Sequence, residues 1–311
     1  MGKIKAICIS EKKGTPKKQV EDSEFIKGFG IKSDAHAGRW HRQVSLLAAE
    51  KIAEFKEKGA EIEYGAFGEN LVVTGFDLKE LPVGTRFQCN DVILEITQIG
   101  KECHTHCQIY HHMGDCIMPR EGVFAEVIQG GKISIGDEMF MLKAEENRPF
   151  SAAIITLSDR GAAGIRIDES GPAIKEILAE KKYKIIEELL LPDEQKELEK
   201  ELLRLADGRQ VDLIITTGGT GLSKRDCTPE ATLAVATKNV PGIAEAIRSY
   251  SLTITKRAML SRGVSVLRNN TLIINLPGSP KAVKESLLYI IETLDHGLEI
   301  LKGTAHECAR K

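Results

Sequence analysis

One stretch constrains this chain more than any other: Thr216-Thr217-Gly218-Gly219-Thr220-Gly221-Leu222-Ser223-Lys224-Arg225-Asp226-Cys227-Thr228-Pro229-Glu230. It follows an apolar run over 211–215, broken only by Asp212, which reads as a strand buried on both faces. After the glycines comes a helix start, with Thr228 as the expected N-cap, Pro229 at the first helical position and Glu230 near the positive end of the helix dipole. Strand, glycine turn and helix in that order let a parallel sheet present backbone N–H groups to a phosphate. The loop has neither the Gly-Lys-Ser/Thr ending of a P-loop nor the spacing of a dinucleotide fingerprint. It carries Arg225 and Asp226 instead, a cation suited to phosphate beside a carboxylate suited to Mg²⁺. A strand–helix corner in which glycine meets only a steric need fits the same spacing.

Around this stretch the rhythm is strand, helix, strand. Strands are expected over 151–157, 183–191, 264–267 and 271–276, the last two joined by Arg268-Asn269-Asn270 as a tight turn. Helices are expected after Gly171-Pro172, from Asp193, around 243–250, and along the stripe Val283, Leu287, Ile290, Ile291, Leu294, Leu298 and Leu301, ended by Gly303. Such alternation predicts a doubly wound, mainly parallel sheet whose ligand site lies outside the carboxyl ends of its strands. Those ends carry Ser158-Asp159-Arg160, Pro192-Asp193-Glu194, the glycine loop with Asp226, and Pro277-Gly278-Ser279. Three carboxylates and several loop amides therefore converge, although each Asp alone suits a helix cap, Asp193 above all.

The preceding residues follow another pattern. Short β-rich runs at 4–10, 71–74, 85–89, 92–97, 123–128, 132–135 and 138–142 are separated by turns such as Asn90-Asp91 and Gly136-Asp137. With one helix, capped by Ser45 and stopped by Gly59, they suggest a small barrel or folded sheet. At 311 residues the chain has room for two domains, and the polar, proline-ended stretch 144–149 divides it into 1–145 and 146–311. The segment 30–43 gathers Asp34, His36, Arg39, His41 and Arg42, which suits an anionic ligand or an exposed polar loop equally. Cys103, His104, His106, Cys107, His111, His112 and Cys116 lie close together, but not at a standard zinc-finger spacing. Buried small hydrophobes, or a soft thiolate for a metal or for sulfur transfer, are the readings left open.

A net charge of −2 without a long basic run argues against a nucleic-acid surface. The start of the chain has no sustained apolar segment, so neither a secretory signal nor a membrane span is expected. An odd count of seven cysteines with irregular spacing suits reduced thiols in the cytoplasm.

Two resemblances rest on ordered motifs. Asp34-Ala35-His36-Ala37-Gly38, Arg42-Gln43-Val44-Ser45-Leu46-Leu47, Gly65-Ala66-Phe67-Gly68-Glu69-Asn70-Leu71, Leu81-Pro82-Val83-Gly84-Thr85 and Pro119-Arg120-Glu121-Gly122-Val123-Phe124 resemble a MOSC domain. That is the β-barrel at the C-terminus of molybdenum cofactor sulfurases. The resemblance implies binding of the molybdenum cofactor and handling of its sulfur, or of molybdenum, at one cysteine. By position after Ile99-Gly100-Lys101-Glu102 that cysteine is Cys103, with Cys107 and Cys116 as rivals.

The second half is similar to the molybdopterin adenylyltransferases of MogA type, also found as the G domain of gephyrin. Ser158-Asp159-Arg160, Leu191-Pro192-Asp193-Glu194, Thr217 to Gly221, Arg225 to Ala231, Met259-Leu260-Ser261-Arg262 and Leu276-Pro277-Gly278-Ser279-Pro280 carry the likeness. Cys227 replaces a usual valine, and Ser279 a frequent Asn or Gln. The family implies Mg-ATP-dependent adenylylation of molybdopterin by a homotrimer. Transferred to this chain, Asp226 and Asp193 would hold Mg²⁺, with Asp159 a further catalytic candidate. Gly218, Gly219, Thr220, Gly221 and Arg225 would hold phosphate, while Ser261, Arg262, Pro277, Gly278 and Ser279 would hold pterin or nucleotide. A carrier that binds molybdopterin without turnover is the alternative.

Overall fold

A computed structural model of the chain describes residues 1–101, 108–145 and 148–303, with backbone alone at 108, 111 and 112. Two compact units are present, Met1–Glu146 and Asn147–Lys311.

The first unit is built on an eight-stranded sheet. Its Gly2–Ile9 strand pairs with both Leu71–Thr74 and Glu138–Met141, so the sheet closes on itself and leaves few free edges. Ile4, Ile7, Phe25, Leu46, Leu71, Phe87 and Leu94 fill the core. A second cluster outside it packs Ile52 and Phe55 of the Ala49–Glu57 helix against Leu47 and Val72. Ser45 does not cap that helix. It lies inside the wholly buried Val44–Ala48 strand, between Val123–Gln129 and Leu71–Thr74, and its hydroxyl donates to Asn70 Oδ1 at 2.9 Å. The helix starts directly at Ala49, without a side-chain cap.

The second unit holds a six-stranded sheet in the order Lys184–Leu191, Ser151–Leu157, Leu213–Thr217, Thr271–Leu276, Ser265–Arg268, Lys238–Asn239. The first four strands are parallel and only Ser265–Arg268 runs against the rest, so the sheet is mainly parallel, as expected. Alternate residues of the central strands face opposite layers. Ala152, Ile154, Ile215 and Ile274 meet Ile174, Leu178, Leu287 and Ile291 on one side. Ala153, Ile155, Ile214 and Ile273 meet Leu198, Leu202, Leu205 and Ala231 on the other. Gly303, at φ +70°, ends the Pro280–Lys302 helix, because that left-handed conformation is cheap only without a Cβ. The register aligns Leu157 with Leu191, Thr156 with Thr217, and Thr217 with Leu276. Four strands thus finish together, and their following loops share one rim. Among the described residues no helix is long and apolar enough to cross a membrane.

Candidate active site

Asp159 and Asp193 leave neighbouring strand ends and clasp each other through the backbone. Asp159 N–H donates to Asp193 Oδ2 at 3.1 Å, and Asp193 N–H donates to Asp159 Oδ1 at 3.0 Å. The glycine turn closes over this pair. Gly218 and Gly219 have φ of +93° and +61°, and a Cβ on Gly218 would lie 2.2 Å from the Leu157 carbonyl oxygen. A Cβ on Gly219 would lie 2.8 Å from Asp193 Oδ1, and one on Gly221 would lie 2.8 Å from Asp226 Oδ2. Glycine at these positions meets a steric need, set by positive φ and close neighbours, and brings the backbone of the turn up against two carboxylates. Asp193 and Asp226 thus border the same turn, one at Gly219 and the other at Gly221.

Asp193 Oδ1 is buried and has no hydrogen-bond partner among the described residues. Burial, followed by the negative charges of Asp159 and Asp226, pushes the Asp193 carboxyl above its ordinary range, against the bond from Asp159 N–H. A buried unpaired carboxylate oxygen costs stability unless a proton or a cation meets it. Mg²⁺ is held in phosphate-transfer sites by one or two carboxylates, with substrate oxygens and water completing the shell. That donor set fits Asp193 and Asp226, and no group of three or more His, Cys, Asp or Glu side chains among the described residues forms a self-sufficient metal cage.

Arg225 is tied to carboxylates rather than to the glycine amides. Its Nε and one terminal nitrogen donate to Asp159 at 3.0 and 2.9 Å, and the other terminal nitrogen is 2.8 Å from Glu194. The Arg225 fork holds the Asp159 carboxyl below its ordinary range. Arg262 braces the loop from outside: its Nε donates to the Gly221 carbonyl at 2.6 Å and a terminal nitrogen to the Asp226 carbonyl at 2.9 Å, while Glu230 takes its remaining arm. Its backbone N–H also donates to the Thr220 carbonyl at 2.9 Å. Ser261 Oγ accepts the Gly263 N–H at 3.4 Å.

Thr228 is the first residue of the Thr228–Ala234 helix rather than its cap, and Pro229 is the second. The Thr228 hydroxyl donates to the Gly218 carbonyl at 2.9 Å, so it fixes the turn instead of the helix end. From the far side, Thr217 Oγ1 donates to the Pro277 carbonyl at 2.7 Å, and a Cβ on Gly278 would lie 3.2 Å from Gly218 Cα. Ser279 caps the last helix, its hydroxyl accepting the Ala282 N–H at 3.3 Å. Sequence reasoning missed Asp168. Its Oδ1 accepts the Ser170 and Gly171 N–H groups, its Oδ2 accepts the Thr156 hydroxyl, and Ser170 in turn donates to the Gly278 carbonyl at 3.0 Å. The Asp-x-Ser-Gly start of the Ser170–Glu180 helix is the signal that would have found it. Burial raises the thiol pKa of Cys227, which keeps it protonated beside this acidic site.

The first unit has a cavity of about 890 Å³ whose lining includes Lys17, His36, Arg42, Lys101, Phe67 and Cys116. At its wall Lys17 Nζ donates to Asp34 Oδ2 at 2.8 Å, both side chains almost fully buried. Asp34 also accepts from Ser10 N–H and Asn70 Nδ2. Burial alone would raise the Asp34 carboxyl, yet the Lys17 bond and these donors hold it below its ordinary range, while burial lowers the Lys17 ammonium. Within the 30–43 segment Asp34 is therefore buried and His36 and Arg42 line the cavity, whereas Lys32, Ser33 and Arg39 are exposed. Cys103 and Cys107 lie outside the described residues. Cys116 is buried.

Comparison with known proteins follows the same division. The family model described as "Probable molybdopterin binding domain" matches residues 153–296, and that of the MOSC domain matches residues 33–140. The molybdopterin adenylyltransferase of Helicobacter pylori is 41% identical over 152 residues, 48% of this chain and 86% of that protein. The chain belongs to the molybdopterin adenylyltransferase family. A MOSC domain precedes the family's domain in it. Gephyrin of Dictyostelium discoideum is 36% identical over 48% of this chain and 22% of its own length. A crystal structure of the molybdopterin biosynthesis enzyme MoaB from Thermus thermophilus is 45% identical, covering 50% of this chain and 97% of that one at a TM-score of 0.48. Family membership places the chain in molybdenum cofactor biosynthesis.

Proposed function

We propose that the second unit transfers the adenylyl group of Mg-ATP to molybdopterin. The observation that carries this reading is that Asp193 and Asp226 both border the glycine turn, with Asp193 Oδ1 buried and unpaired. A protein that only bound an anionic pterin would gain nothing from carboxylates beside it. A terminal phosphate oxygen of molybdopterin forms the new bond to the α-phosphorus, and the bond from that phosphorus to the bridging oxygen breaks. Pyrophosphate leaves with the electron pair. This displacement needs alignment and charge neutralisation rather than a covalent intermediate.

In this reading Asp193 and Asp226 hold Mg²⁺, which when bound screens the charge of the polyphosphate and orients it. The backbone N–H groups of Gly218, Gly219, Thr220 and Gly221 take phosphate oxygens. Arg225 neutralises charge, and Asp159 orients both Arg225 and Asp193. The Pro277, Gly278 and Ser279 turn and Ser261 border the pterin or nucleotide, with Arg262 acting through the loop it braces. The first unit takes the molybdenum cofactor, or its sulfur, with the cavity beside Lys17 and His36 as its place; Cys103 is the thiolate by motif position, with Cys107 and Cys116 as rivals. The protein works in the cytoplasm as a homotrimer, for which a native mass of three chains is the expected result.

Pyrophosphate release tests the reading. The full chain is expected to release pyrophosphate only when ATP, Mg²⁺ and molybdopterin are all supplied. Tight molybdopterin binding without pyrophosphate would instead make the protein a carrier.

A further inference from the structure

Arg225 carries a consequence beyond the reaction, one that rests on the adenylyl-transfer reading. The guanidinium has five N–H donors in a fixed fork. Three of its nitrogens are already directed at protein carboxylates, two at Asp159 and one at Glu194. Glu194 stands at the N-cap of the Gln195–Leu203 helix, yet its side chain makes no cap hydrogen bond there. Its carboxylate is spent on Arg225 instead. A triphosphate arriving at the glycine turn must therefore take the guanidinium away from acceptors that already hold it.

We infer that Glu194 is a positioning residue that competes with the nucleotide phosphates for Arg225 and so sets nucleotide affinity. The exchange is within reach because the pair is half exposed: Arg225 and Glu194 side chains are 52% and 55% accessible. Ion pairs of this exposure are weak, and a polyphosphate offers a bidentate acceptor of higher charge. Because the free protein keeps Arg225 turned to Asp159 and Glu194, the apparent affinity is the intrinsic one reduced by the fraction of molecules with Arg225 released. The arrangement favours a fully charged Mg-triphosphate over a monophosphate, since only the former outcompetes two carboxylates.

Calorimetric titration of the full chain with Mg²⁺ and the α,β-methylene analogue of ATP tests this in four proteins: wild type, Glu194→Gln, Arg225→Gln and the double variant. Glu194→Gln is expected to bind about two- to five-fold tighter than wild type, the range an exposed ion pair allows. In the Arg225→Gln background the same substitution should change nothing. In turnover, Glu194→Gln should lower KM for ATP by a similar factor and leave kcat unchanged. Unchanged affinity in Glu194→Gln overturns the inference. Equal tightening in both backgrounds overturns it too, because removing a repulsive charge would then suffice without Arg225. Absence of any binding by wild type rejects the adenylyl-transfer reading itself, and this inference with it.

Discussion

Asp193 illustrates how a site residue trades stability for chemistry. Its Oδ1 is buried without a partner, and two further carboxylates face it. Because its folded pKa lies above the ordinary 3.8, the folded state binds more protons than the unfolded one across that interval. Its destabilising contribution is therefore absent below the ordinary value, grows as pH rises from there, and is complete only above the folded value. Asp193→Asn removes the charge while keeping the acceptor for Asp159 N–H. We expect the variant to gain roughly 1 kcal/mol at pH 7 without Mg²⁺, the scale of a relieved buried acceptor. Its thermal midpoint should exceed that of wild type, with the gap narrowing toward acid pH. A lower midpoint at pH 7 would contradict this account. The three aspartates were legible in the sequence because Asp159 and Asp193 sit just past apolar runs and Asp226 lies in the glycine-rich loop that follows another. The partners of Arg225 and Arg262 were not, since a sequence shows a cation but not which of several nearby acceptors it reaches.

At the scale of elements, the glycine turn and the last helix make opposite demands on glycine. Gly218 combines φ +93° with a carbonyl oxygen 2.2 Å from any added Cβ. Gly218→Ala should cost about 2–4 kcal/mol, as strained backbone and overpacking add. Gly297, within the Pro280–Lys302 helix, has nothing within 4 Å of an added Cβ. Gly297→Ala should gain roughly 0.5–1 kcal/mol by restricting the unfolded chain. Denaturant titration of the two variants checks both signs; equal effects would mean that the turn is not strained as described. Strand and helix order in the second unit was readable because its periods change cleanly from run to run. Element ends were less so. Thr228 has the residue type of a cap, but its hydroxyl is drawn to the Gly218 carbonyl by tertiary contact. Ser45 precedes a helix, yet its neighbours Val44, Leu46, Leu47 and Ala48 are all buried in a strand that runs straight into it.

For the whole molecule, each unit has cores drawn from its own residues. Every residue assigned to adenylyl transfer lies in the second. A protein comprising residues 146–311 should therefore release pyrophosphate at a rate within about two-fold of the full chain, since no group acting in the transition state is lost. A larger loss would show that the first unit contributes to the transfer. Motifs such as Asp34-Ala35-His36 could be assigned to the first domain from sequence, but the buried Lys17–Asp34 pair joins residues of two separate loops and needed the fold to appear.

The most direct test follows adenylylated molybdopterin and pyrophosphate in a single turnover of the full chain, wild type against Asp226→Ala. The account predicts stoichiometric formation of both by wild type. It predicts a variant with an unchanged circular dichroism spectrum that is slower by about a hundredfold or more, as expected when charge stabilisation in the transition state is removed. A correctly folded Asp226→Ala protein turning over at the wild-type rate would contradict it.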